Sequence, residues 1–296
     1  MIKIALIGGA GCYHARCWGR MFNGGDKKLA KLHKFPAVAD NVRVKGAKVT
    51  HVYDDKRADA ELLAKACGIP NVVSRQEDVI GKVDAVMIPD DCSMAHQKRA
   101  AVFLKEKIPT FVDKPLSPDP REAEAIIGLA RKHKALFMSS SALRFAREIE
   151  DFNRKDRAAI GDIITGNALG PNELVFYGIH ALEALITLAG PGVRSVRNAG
   201  GIYRDVLSLE YKNGRLFTLT VNKEMNYIFQ VNLYGTKGWR QVTISDSAYF
   251  YSNMLKHFVR MVRTGREPFS PDETLEIIRI LAAGAKLRNT AKKITI

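Results

Sequence analysis

Long hydrophobic runs are missing from this chain: no uninterrupted apolar stretch approaches the ~18 to 20 residues that crossing a bilayer requires. The opening Met1 to Ile7 also lacks the small-residue cleavage pattern of a secretory signal, so a soluble, cytoplasmic protein with no membrane partner is expected. Cysteine is scarce. Cys12, Cys17, Cys67 and Cys92 form no C-x-x-C pair, which argues against a zinc site or a disulfide framework and predicts reduced thiols. Acidic residues are short of the basic ones, 31 against 46, and the resulting formal charge of +15 favours anionic ligands. The excess is densest between Asp26 and Lys48, where Lys27, Lys28, Lys31, Lys34, Arg43, Lys45 and Lys48 face only Asp26 and Asp40. Aromatic rings are almost absent there, Phe35 being the exception, so the stretch reads as a solvated basic face and no nucleic-acid partner is expected. Repeats and low-complexity segments are lacking too, which excludes collagen-like and disordered chains. What remains is 296 residues, 46 % hydrophobic and 26 % charged, enough for one or two well-cored domains.

The first half alternates short apolar runs with helical patterns. Ile2 to Ile7, Lys48 to Tyr53, Val83 to Ile88, Pro109 to Val112 and Ala135 to Met138 read as strands. Asp55 to Cys67 ends at Gly68 and Pro70, Ser93 to Lys107 ends before Pro109, and Asp119 to His133 opens with Pro120 at a first helical position. That rhythm predicts an α/β unit with a parallel, doubly wound sheet over residues 1–142. Residues 143–296 differ in texture: a helical pattern over Leu143 to Lys155, an extended run over Asp162 to Leu169 and a helix over Pro171 to Ala189. Five strand-like runs then follow between Val193 and Ser245 without intervening helices, joined by turns such as Lys212-Asn-Gly214 and Gly235-Thr-Lys-Gly238. Two amphipathic helices, Tyr251 to Thr264 and Pro271 to Leu287, close an α+β domain with a largely antiparallel sheet.

The strongest local signal is Gly8-Gly9-Ala10-Gly11-Cys12-Tyr13-His14, at the turn from first strand to first helix. Gly9 and Gly11 supply the tight turn and close backbone approach that a dinucleotide pyrophosphate needs, with helix-start amides to hold phosphate. A carboxylate at the end of the second strand accepts both ribose hydroxyls, and Asp54 stands there, favouring NAD over NADP. It lies 43 residues beyond Gly11 where about 20 is usual, so residues 26–48 read as an insertion. Lys56 and Arg57 are placed to hold a 2′-phosphate, which keeps NADP open. Lys114, in Asp113-Lys114-Pro115, follows the fourth strand and faces the crevice where ligands bind. It and His180 are candidate proton-handling groups.

Together these segments resemble the Gfo/Idh/MocA family, the relatives of glucose-fructose oxidoreductase and inositol dehydrogenase. The likeness runs through Gly9-x-Gly11-x-x-His14, Asp54, the loop Pro89-Asp90-Asp-Cys-Ser-Met-Ala-His96, Asp113-Lys114-Pro115 and Arg144-Phe145. The resemblance implies a Rossmann domain over 1–142 and a substrate and oligomerisation domain over 143–296. It implies hydride transfer between nicotinamide and a sugar, cyclitol or sugar acid, in a homodimer or homotetramer. Cofactor contacts would come from Gly9, Gly11, Cys12, Tyr13, His14, Asp54, Pro89, Asp90, His96, Asp113 and Lys114. Lys114 and His180 would be catalytic, with Arg144 and Tyr177 also at the substrate; no metal is expected. One departure stands out. The family's Asp-x-Gly-x-His here reads Phe176-Tyr177-Gly178-Ile179-His180, so the carboxylate expected on His180's helix face is a phenyl ring, with Glu173, Tyr177 or Glu183 as substitutes. That leaves two alternatives: a non-catalytic nicotinamide sensor, or a reductase of imines or conjugated double bonds.

Overall fold

The computed structural model describes residues 1–296 and divides the chain into two units. The first comprises Met1–Ser117, Arg121–Ser139 and Tyr251–Pro271, the second Pro118–Pro120, Ser140–Phe250 and Asp272–Ile296. Packing thus groups most of the helix that follows residue 246 with the first unit.

In the first unit, strands β1 (Ile2–Ile7), β2 (Ala47–Tyr53), β3 (Asn71–Val72), β4 (Ala85–Ile88), β5 (Thr110–Val112) and β6 (Phe137–Met138) form one parallel sheet in the order β3-β2-β1-β4-β5-β6. Crossovers run through α1 (Tyr13–Asn23), α2 (Lys27–Leu32), α3 (Arg57–Cys67), α4 (His96–Lys105) and α5 (Pro120–His133). Parallel strands are covered on both faces, and every residue of β4 and β5 is accordingly buried. The insertion at residues 26–48 holds α2 and a 3-10 turn at Ala37–Ala39, tied to α1 by Arg20 and Asp40 at 2.6 Å, while its seven basic side chains are exposed. The order of strands reverses between β1 and β4, the switch point where open α/β sheets bind ligands.

The second unit has α6 (Arg147–Asp151) and α7 (Arg157–Ile160), joined by a π-helical turn, where the sequence pattern suggests one helix. Its sheet contains β7 (Ile163–Pro171), β8 (Val193–Asn198), β9 (Arg204–Tyr211), β10 (Leu216–Asn222), β11 (Phe229–Gly235), β12 (Trp239–Ile244) and β13 (Ile294–Thr295), ordered β12-β11-β7-β10-β9-β8-β13. Only the β7–β10 pair is parallel. Helix α8 (Gly178–Ala189) packs on this sheet, α9 spans Ser247–Thr264 and α10 spans Pro271–Lys286.

Two expectations are corrected. Helix α8 begins at Gly178, not Pro171: Asn172 is left-handed at φ 66°, and the Glu173 carboxylate accepts from the Phe176 amide at 2.7 Å, so residues 172–177 form turns. Phe176 therefore lies outside the helix that carries His180. Cys12 and Cys92 are also bonded rather than reduced, with S–S 2.06 Å. They are 80 residues apart, but they follow adjacent strands β1 and β4, which brings their Cα atoms to 6.4 Å. Cys17 and Cys67 remain free and buried, and burial pushes each thiol up to about 12.

Candidate active site

The glycine turn is dictated by what lies against it. Gly9 has φ 63°, a conformation L side chains rarely adopt, and a Cβ on it would fall 2.3 Å from the Pro89 carbonyl oxygen. The loop after β4 thus closes directly onto the turn after β1. Helix α1 starts at Tyr13 with no side-chain cap and no acid in its first turn, leaving its amides and dipole to an anion. Asp54 sits beside this turn, accepting from the Ala10 amide at 2.7 Å and the Lys56 amide at 2.8 Å. Next to it Asp55 pairs with Arg99 at 2.6 Å, and a cavity of about 210 Å³ is lined by Tyr53, Asp55, Arg75, Glu77, Lys98 and Arg99.

The loop after β4 separates two neighbouring acids. Asp90 is buried and committed to Arg99 at 2.6 Å and to the Ser93 hydroxyl at 2.5 Å, so it organises the loop. Asp91 instead lies 3.9 Å from His14 Nδ1. Burial, and then the charge of Asp113, raise its carboxyl above the ordinary range. Nothing in the sequence singles out Asp91, because the phase of an irregular loop cannot be read from an Asp-Asp pair. Cys92, bonded to Cys12, completes the contact of this loop with the glycine turn.

At the end of β5 the buried Asp113 meets His14 Nδ1 at 2.5 Å. Burial alone would raise the Asp113 carboxyl, but His14 and Lys114 outweigh it and hold it below the ordinary range. His14 stacks on Trp18 with planes 3° apart and centroids at 5.4 Å, and its Nε2 lies 3.3 Å from the Tyr251 hydroxyl. The histidine in the third glycine position is thus a partner of the strand-end acid. Lys114 is only 8 % exposed, its amide donates to Asp113 at 2.8 Å, and the Lys114–Pro115 bond is cis. His96 Nδ1 donates to the Leu116 carbonyl at 3.0 Å, and its buried Nε2 has no hydrogen-bond partner. The first unit therefore brings together Gly9, Gly11, Cys12, His14, Asp54, His96, Asp113 and Lys114; Tyr13 is half exposed at the start of α1, its ring 5.6 Å from that of His14.

In the second unit, His180 lies in the first turn of α8 with Nδ1 2.6 Å from the Ser141 hydroxyl and its ring edge-on to Tyr177 and Phe229. Arg144 is buried and taken up by Glu183 and by Glu273, the latter at 2.9 Å. Burial alone would lower its pKa, but those carboxylates raise it and keep the guanidinium charged. Its guanidinium ties the turn after β6 to α8 and α10. Ser141 was not anticipated: a serine in Ser139-Ser-Ser141 carries no periodic signal, and only the packing of α8 selects it.

Residues 2–141 match the model of an oxidoreductase family with an NAD-binding Rossmann fold, GFO_IDH_MocA. Over these residues the chain matches the Gfo/Idh/MocA oxidoreductases. NAD is the cofactor of that fold, and the uncapped α1 terminus, Gly9 and Asp54 fit it. No curated protein sequence matches the chain. Among solved structures, a probable dehydrogenase from Thermotoga maritima is similar at TM-score 0.81 and 16 % identity, over 99 % of this chain and 98 % of that one. Scyllo-inositol dehydrogenase from Lactobacillus casei, solved with NAD(H) and scyllo-inositol, is similar at TM-score 0.80 and 16 % identity, over 100 % and 99 %. A myo-inositol dehydrogenase from Corynebacterium glutamicum is similar at TM-score 0.79 and 15 % identity, over 100 % and 99 %. At these identities the likeness is one of fold, and it extends through both units of the chain. No helix is long and apolar enough to cross a membrane.

Proposed function

We propose that this protein is an NAD-dependent dehydrogenase or reductase of a polar small molecule, a sugar, cyclitol or sugar acid, with Lys114 and His180 at the reacting oxygen. The observation that carries the reading is a nearly buried lysine at the carboxyl end of β5, beside the ionised Asp113 and next to the NAD-binding turn. A lysine held at that place can hydrogen-bond a substrate oxygen and pass a proton to or from it as charge develops there. When bound, the nicotinamide supplies a hydride acceptor or donor. Gly9 and the start of α1 hold its phosphates, Asp54 meets the adenosine ribose, and Lys114 moves the accompanying proton.

Oligomerisation belongs to the same proposal. The open face of the second sheet presents Ser208, Thr218, Asn167, Asn232 and Gln241 in one cross-strand row, and Leu216, Thr165, Tyr234 and Trp239 in another. The rows end in charges on the β8–β9 side, Arg197 opposite Ser208 and Glu210 opposite Leu216, and the uncharged stretch between β10 and β12, with exposed Leu216 and Trp239, suits a closed homodimer or homotetramer. A cytoplasmic location is part of this reading as well.

Lys114→Met tests the reading, with NAD⁺ and scyllo-inositol or myo-inositol as first probes and a wider panel of sugars and sugar acids after them. Turnover should fall by about 10²-fold or more while NADH still binds by fluorescence titration. An active Lys114→Met protein would sink it. A second reading, reduction of a C=N or conjugated double bond, is favoured by one observation: α8 carries no acid in its first turn to assist His180. Imine substrates belong in the same screen.

A further inference from the structure

Ser141 is fully buried at the head of the 3-10 turn Ala142–Phe145, and its hydroxyl has two polar neighbours. The Leu143 amide donates to Oγ at 3.1 Å, and His180 Nδ1 lies 2.6 Å from the same oxygen. A serine hydroxyl has one hydrogen and two lone pairs. An amide can only donate, so the Leu143 bond occupies a lone pair and leaves the hydroxyl hydrogen in need of an acceptor. Ser141 itself is withdrawn from water, so the Nδ1 lone pair is that acceptor. The reverse arrangement, with Nδ1–H donating to Oγ, would leave a buried O–H unmatched, the costlier state.

We infer that Ser141 is a positioning residue that fixes His180 as its Nε2–H tautomer, so that His180 meets a substrate oxygen as a hydrogen-bond donor. Both ends of the Ser141–His180 bond are anchored to α8. The Ser141 amide donates to Glu183 at 3.4 Å, and Glu183, one turn beyond His180, is held by Arg144. Rotation of the ring is restrained by Tyr177 at 6.1 Å and Phe229 at 5.4 Å between centroids. The substrate group at His180 must therefore offer a lone pair, as a carbonyl, an alkoxide or a neighbouring ring hydroxyl does. The moving proton is left to Lys114. This deepens the proposed function and rests on His180 facing the substrate.

The test separates the two. Long-range ¹⁵N–¹H correlation spectra of the neutral imidazoles, with His180→Gln for assignment, should show His180 protonated at Nε2. Ser141→Ala should release a mixture of tautomers, and Ser141→Thr, which keeps the hydroxyl, should restore the wild-type pattern. Protonation at Nδ1 in the wild type overturns the inference, whatever the enzyme turns over. In initial-rate assays with NAD⁺ and scyllo-inositol, Ser141→Ala should lower kcat about tenfold with the KM for NAD⁺ unchanged, and Ser141→Thr should recover it. An active His180→Ala would remove the catalytic reading and leave the tautomer standing. An inactive His180→Ala beside a Ser141→Ala protein with wild-type rate and spectrum would remove the inference alone.

Discussion

His14 and His180 carry the same ring in opposite company. In the first unit, His14 Nδ1 meets a buried carboxylate at 2.5 Å, and an ionised carboxylate can only accept, so that nitrogen carries a hydrogen. In the second, His180 Nδ1 meets a buried hydroxyl whose own hydrogen must go somewhere, which by our inference reverses the direction of the bond. The first arrangement keeps a negative charge ionised beside Lys114; the second aims a neutral donor. What a histidine does in this protein is decided by the donor and acceptor inventory of its partner, and that partner lies 99 residues away for His14 and 39 for His180.

The largest effect should come from removing the charge on the first side. Asp113 is buried with His14 and Lys114 as its counter-charges, and breaking such a pair costs about 3 to 5 kcal/mol. Asp113→Asn should lower the urea-unfolding free energy by about that much at neutral pH. The pH dependence has a definite sign. Because the folded pKa lies below the unfolded value of about 3.9, the carboxylate's contribution is full above that value and is lost as pH falls through the folded pKa. Wild type should therefore lose its advantage over Asp113→Asn only in strong acid. Equal stability of the two at neutral pH would remove the contrast between the histidines.

The elements that define the cofactor side were legible because their signals are local. Strand β1 ended where its apolar run did, Gly9 announced a turn, and the stops at Gly68 and before Pro109 placed the ends of α3 and α4. Asp54 was found by its place after a strand. The sequence was less informative wherever a loop or a distant partner decides. Asp90 and Asp91 are adjacent and chemically identical, yet one pairs with Arg99 and the other faces His14. Arg144 looked available for substrate, and only the packing of α8 and α10 shows two glutamates holding it. The apolar pattern before α8 continues through Leu174 and Phe176, so hydrophobicity alone starts that helix too early; the left-handed Asn172 and the turn that Glu173 closes onto the Phe176 amide precede it, and α8 itself begins without a side-chain cap. The bonding of Cys12 to Cys92 depended on β1 and β4 being neighbours, which cysteine spacing does not encode.

The smallest effect sharpens the comparison from within the first unit. Asp91 and Asp113 flank the same His14 nitrogen at 3.9 and 2.5 Å, yet their carboxyls shift in opposite directions. Burial and the nearby Asp113 charge raise Asp91, so its ionised form is less comfortable in the folded protein than in the unfolded one. That penalty is present above the folded pKa and disappears as pH falls below the unfolded value. Asp91→Asn should therefore match or slightly exceed wild-type stability at neutral pH, by no more than about 1 kcal/mol because the side chain still reaches solvent. The difference should vanish in acid, the reverse of the loss expected for Asp113→Asn. If both variants lose stability together, His14 shares its proton with two acids, and its pairing with Asp113 would no longer set it apart from His180.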